Sequence, residues 1–78
     1  MMEYTPAQVG GTIRRLRRTR RQSQEVFSGL VGIDRSHLAK IERGEKAANV
    51  ETLAKVSRAF DMKLSTFFDI VEQDQNSI

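Results

Sequence analysis

Cysteine and tryptophan are absent from this 78-residue chain, and proline, histidine and tyrosine each occur once. Without cysteine there are no disulfide staples and no thiolate metal sites, and a reducing compartment is the natural setting. His37 is the single histidine, the carboxylates are scattered, and no glycine-rich phosphate loop is present. The chain therefore reads as a non-enzyme with no cofactor and no metal. No apolar run approaches the ~20 residues of a membrane span. The amino-terminal MMEYTPAQVGG lacks the basic start and apolar core of a signal peptide. A cytoplasmic protein with no membrane partner is expected. The only aromatics are Tyr4 and four phenylalanines, mostly at positions that read as core, so no stacking platform for RNA bases is apparent.

The charge is modest in total and uneven in distribution. The net charge is +3, with +5 in residues 1–24, 0 in 25–44, +1 in 45–63 and −3 in 64–78. A basic front and an acidic back suit a domain that turns one side to a polyanion, although a basic solvated helix would give the same count.

The apolar spacing is helical throughout. Thr5-Pro6-Ala7-Gln8 carries a cap, a proline at the first helical position and the glutamine of a capping box. Val9, Ile13 and Leu16 then mark a first helix over about 6–20. Gly10-Gly11 weakens its opening turns by roughly 1 kcal/mol each, which favours a start nearer Thr12. Ser23 caps a second helix that ends at Gly32, and Asp34 caps a third over about 35–43 that ends at Gly44. Asn49 caps a fourth over about 50–60, carrying Val50, Leu53, Val56 and Phe60. Lys63 precedes a fifth that starts near Leu64, and lysine offers no acceptor to cap it. Residues 73–78, QDQNSI, show no pattern and read as a frayed tail. The expected fold is all-α, a compact five-helix bundle in one domain over residues 1–72.

Within it, residues 24–44 place Phe27, Val31, Ile33, Leu38 and Ile41 around Gly32. That pattern is helix, tight turn, helix, the frame that sets a recognition helix in the DNA major groove. The wider chain resembles the phage-repressor, Cro-like helix-turn-helix regulators. The strings that carry the resemblance are Ile13-Arg14-Arg15-Leu16-Arg17, Ser23-Gln24-Glu25, Gly32-Ile33-Asp34, Ile41-Glu42-Arg43-Gly44, Glu51-Thr52-Leu53-Ala54-Lys55-Val56 and Leu64-Ser65-Thr66-Phe67-Phe68. All six occur in the family's order and spacing, over about residues 9–70. Phe27-Ser28 departs from the usual Leu-Ala and implies local repacking. The proline common before the fourth helix is replaced by the cap at Asn49.

The resemblance implies a lambda-repressor-like DNA-binding domain and gives the residues roles. Arg35, Ser36 and Lys40 match the base-reading positions of the recognition helix. Arg35 is suited to bidentate hydrogen bonding with guanine, although a phosphate contact is the plainer alternative. Ser23 and Gln24 stand where free backbone N–H groups and the helix dipole bind a phosphate. Arg43 and Lys46 flank the end of the third helix, and Arg20 and Arg21 lie close to Ser23; all four are candidate phosphate ligands. His37 lies near the groove but reads equally well as a plain surface residue. The family also pairs the position of Arg17 with that of Glu42, which implies an ion pair clamping the first helix to the third.

One recognition helix reads too few base pairs to select a genomic site, and the family usually binds pseudo-palindromes as dimers. Leu64, Phe67, Phe68, Ile70 and Val71 give the fifth helix more apolar residues than a small core absorbs. A homodimer interface through Leu64, Phe68 and Val71 is expected, with Phe67 turned inward. The functional expectation is a transcriptional repressor or controller at an operator in the nucleoid, with RNA polymerase as a possible further contact. The alternative is an antitoxin-type module that binds a partner toxin and autoregulates its operon.

Overall fold

The capping box at Thr5 forms: Gln8 N–H donates to Thr5 Oγ1 at 3.2 Å and Thr5 N–H donates to Gln8 Oε1 at 3.1 Å. It opens α1, Pro6–Thr19, in a computed structural model that describes residues 4–76. The remaining helices are α2, Gln24–Val31; α3, Arg35–Glu42; α4, Val50–Ala59; and α5, Leu64–Asn76. There is no strand among the described residues, so the fold is all-α. Ser23 and Asn49 cap α2 and α4, accepting from Val26 N–H at 3.0 Å and Thr52 N–H at 2.8 Å. Asp34 stands at the N-cap of α3, but its side chain makes no capping bond, contrary to the sequence reading. Its carbonyl still accepts from Leu38 N–H and opens the helix.

The first helix spans Pro6–Thr19, close to the expected 6–20, and the weakening at Gly10-Gly11 does not delay its start, because Gly10 lies flat against α3. A Cβ on Gly10 would sit 1.9 Å from the Ile41 carbonyl oxygen, so the missing side chain allows the close crossing of α1 over α3. That packing offsets the helical penalty of glycine. The fifth helix continues to Asn76 instead of fraying after Glu72. Asp74 accepts from Thr12 Oγ1 at 2.7 Å and pairs with the Arg15 guanidinium at 2.9 Å, which ties the last turn to α1. The tail's final residues, 77–78, lie outside the described range, as do residues 1–3.

The core is one cluster drawn from all five helices: Val9, Ile13, Phe27, Val31, Leu38, Ile41, Leu53, Val56, Phe60, Phe67 and Val71. Phe27 stacks on Phe60 with ring centroids 4.5 Å apart, which is how the core takes up the larger residue in α2. Ser28 beside it is buried, and its hydroxyl donates to the Glu25 carbonyl at 3.0 Å. Helix α3 packs on α1 and α2, while α5 packs on α1 and α4. The two helices of the central pair turn at Gly32, whose φ of +87° is the left-handed conformation expected of it. Arg21 and Asp61 take the same conformation after α1 and α4, with φ of 57° and 58°, so both turns use residues with a side chain where glycine is favoured.

Candidate nucleic-acid interface

The α1–α2 turn, the start of α2 and the end of α3 meet at one buried carboxylate. Glu42 is 5% exposed and Arg17 is 8% exposed. Arg17 Nε donates to Glu42 Oε2 at 2.7 Å and Nη2 donates to Oε1 at 3.0 Å, a bidentate pair. The third nitrogen, Nη1, donates to the Gln22 carbonyl at 2.7 Å. Gln24 Nε2 donates to Glu42 Oε1 at 3.0 Å. One guanidinium and one carboxylate thus fix the relative placement of α1, α2 and α3. The Gln24 amide is turned toward Glu42, with one N–H and its oxygen left for other partners.

The Ser23 cap uses the Val26 N–H, which leaves the amides of Gln24 and Glu25 at the open, positive end of α2. Helix α3 has two distinct faces. Leu38, Ile41 and Glu42 are buried; Arg35, Ser36 and Lys40 are exposed; and His37 is half-buried. The exposed face therefore carries two cations and a hydroxyl on a helix whose other side is anchored in the core.

The other candidate residues separate into groups. Arg43 is exposed and shares an opening with Arg14, Arg17, Gln24 and Glu42. Its guanidinium pairs with the Glu45 carboxylate, and that hydrogen-bonded pairing raises the Arg43 pKa and lowers that of Glu45. Lys46 is also exposed but lines a different recess, with Tyr4, Val9, Leu53 and Phe68. Arg20 places its guanidinium over the Phe60 ring, 5.1 Å from the centroid. Arg21 is exposed in the left-handed turn after α1.

Arg14, to which the sequence gave no DNA-contact role, is exposed and lies beside Gln24 and Arg43. The available clue was spacing: Arg14 lies three residues before Arg17, on the same helical face. The expected interface on α5 also needs correction. Val71 is fully buried, as is Phe67, so Val71 is not available to a partner. Helix α5 packs on both α1 and α4, and the two contacts together absorb more apolar surface than its length alone suggested. Leu64 and Phe68 remain half-buried. The Tyr4 ring meets Phe68 edge-on at 5.2 Å, and the Tyr4 hydroxyl donates to Glu72.

A family model described as helix-turn-helix matches residues 13–67. The chain belongs to the Cro/C1-type helix-turn-helix family of DNA-binding transcription regulators. Among solved structures, the restriction-modification controller protein C.AhdI from Aeromonas hydrophila is 30% identical, with a TM-score of 0.76 over 81% of this chain and 96% of that one. A mutant of the restriction-modification controller protein C.Esp1396I shares the fold at a TM-score of 0.86 and 18% identity, over 99% of this chain and 98% of that one. The clp gene regulator ClgR from Corynebacterium glutamicum does so at 0.83 and 18%, over 92% and 77%. No curated protein matches in sequence. Among the described residues, no helix is long and apolar enough to cross a membrane, and no group of histidine and carboxylate side chains is arranged to hold a metal ion.

Proposed function

We propose that this helix-turn-helix regulator binds a pseudo-palindromic operator in double-stranded DNA as a homodimer and controls transcription there, in the cytoplasm at the nucleoid. The observation that carries the reading is the two-faced α3. Its buried side is locked to α1 and α2 through Glu42, and its free side presents Arg35, Ser36 and Lys40. A recognition helix must be held rigidly while its first turns reach base edges, and this arrangement meets that requirement. In this reading Arg35 and Lys40 donate to guanine, and Ser36 adds a weakly discriminating contact. A phosphate sits at the open end of α2, met by the backbone near Ser23, by Gln24, and by Arg14 and Arg43 from the same opening. Arg21 and Lys46 supply outer phosphate contacts, while Arg20 contributes only if it leaves Phe60. His37 lies at the edge of the base-reading face.

The second copy docks through the half-exposed Leu64 and Phe68, with Tyr4 completing the surface. Two recognition helices then lie about 34 Å apart, one helical turn of DNA. Selection of bound sites from random duplexes tests the reading directly. A symmetric motif with two half-sites is expected. Arg35→Ala is expected to relax preference at one or two positions per half-site, at roughly 1–3 kcal/mol of discrimination. Gln24→Ala is expected to weaken all sites about equally. An unchanged motif with Arg35→Ala would remove Arg35 from base reading, and a single unpaired half-site would argue against the dimer.

A further inference from the structure

The turn that ends α3 holds a carboxylate against the cations of the candidate interface. Gly44, with φ of +76°, follows the C-cap Arg43, and its N–H donates to the Ile41 carbonyl at 3.0 Å. The next N–H, that of Glu45, donates to the Lys40 carbonyl at 2.9 Å, which completes a Schellman turn. A Cβ on Gly44 would sit 2.8 Å from the Ala7 Cα, so the turn is packed against the start of α1 and has little freedom to move. Glu45 is therefore fixed at the C-terminal end of the reading helix. Its carboxylate accepts from both Arg43 Nε and Nη2, the latter at 3.2 Å. The Arg43 pairing and the Lys40 charge both favour its ionised form. This geometry matches the fork–fork arrangement in which a guanidinium holds a phosphate.

We infer that Glu45 sets the affinity for the operator: it occupies Arg43 as an internal substitute for a DNA phosphate, releases it only to a phosphate fixed in register, and so subtracts the broken pair from operator binding. The inference rests on the reading of Arg43 as a phosphate ligand. Non-specific association is almost wholly electrostatic and uses loosely placed phosphates. Such a phosphate cannot replace two hydrogen bonds already made, so Arg43 stays with Glu45. At an operator, the base contacts of α3 fix the backbone opposite Arg43, and the exchange occurs. The cost of breaking the pair therefore falls on operator binding, and Glu45 lowers operator affinity more than off-site affinity. It acts through Arg43 and touches no base.

The test is binding of purified full-length protein to a random-sequence duplex and to a selected operator duplex, for wild type, Glu45→Gln, Arg43→Gln and the double variant. Glu45→Gln is expected to tighten operator binding by about two- to fivefold per protomer, the range of an exposed ion pair. Random-duplex binding should tighten less, and in the Arg43→Gln background the gain should vanish. Arg43→Gln alone should weaken the operator complex and lower its salt slope by about 0.9 per protomer. If Glu45→Gln tightens both duplexes equally, or acts equally with Arg43 removed, Glu45 is a plain repulsive charge and the inference is overturned. If Arg43→Gln leaves operator binding unchanged, the phosphate assignment falls and the role of Glu45 falls with it. If no duplex binds in a salt-dependent way, the failure belongs to the DNA-binding reading itself. Both residues are exposed, so thermal unfolding of all four proteins should coincide and exclude a folding artefact.

Discussion

Removing Glu42 while keeping Arg17 should damage the fold more than removing both. Glu42 accepts three hydrogen bonds, two from Arg17 and one from Gln24. In Glu42→Ala, the guanidinium stays inside with only the Gln22 carbonyl as partner. An orphaned charge of this kind costs roughly 3–5 kcal/mol. A domain of this length has a total stability on the order of 4–12 kcal/mol, so the loss is roughly a quarter of it or more. With a urea dependence near 1 kcal/mol per molar, the unfolding midpoint should fall by about 3 M or the protein should be unfolded in buffer. Arg17→Met alone should cost a similar amount, because Glu42 is then the buried, unpaired charge. The double variant Arg17→Met, Glu42→Leu removes both charges and fills the space with apolar atoms, which is often close to neutral. It should recover at least ~2 kcal/mol relative to the sum of the single losses. The assay is a double-mutant cycle from urea unfolding followed by circular dichroism. Single losses under about 1 kcal/mol that simply add would show that water screens the pair and that it does not clamp α1 to α3.

Two neighbouring glycines should respond in opposite directions. Gly11→Ala meets nothing within 4 Å and should stabilise α1 by up to ~1 kcal/mol, whereas Gly10→Ala drives a methyl into the Ile41 carbonyl and should cost about 2 kcal/mol or more. Thermal unfolding separates them, and equal shifts would mean that α1 does not cross α3 at Gly10. Tyr4 is the only tyrosine, so phenolate absorbance reports it alone. Its titration should lie above the ordinary value of 10.0, chiefly because Glu72 accepts its hydrogen bond, and Glu72→Gln should move it back toward that value. A group whose pKa is raised by folding contributes its stability below the unfolded value, so the Tyr4–Glu72 contact should be lost as the pH climbs through the folded value.

What was legible in the sequence was local. The caps at Thr5, Ser23 and Asn49 and the glycines at 32 and 44 set most helix ends, because each device acts within one turn. Misplaced features depended on distant partners. Asp74 bonds to residues 62 and 59 positions earlier, so the end of α5 was not written nearby, and the contact that keeps Gly10 helical is with the equally remote Ile41. The burial of Val71 followed from the same closure of α5 onto α1 and α4. Nothing in local periodicity links Arg17 to Glu42, 25 positions apart. The family pattern suggested that link, whereas the seating of Arg14 beside Gln24 and the grip of Glu45 on Arg43 emerged only with the coordinates.

The division of α3 into two faces also governs how such a protein can change over generations. Leu38, Ile41 and Glu42 carry the packing, while Arg35, Ser36 and Lys40 project away from it. Exchanges at exposed positions of this kind usually alter stability by no more than ~0.5 kcal/mol. New side chains at positions 35, 36 and 40 therefore leave the fold nearly untouched, and a lineage can explore altered sequence preference by single steps without passing through unfolded intermediates.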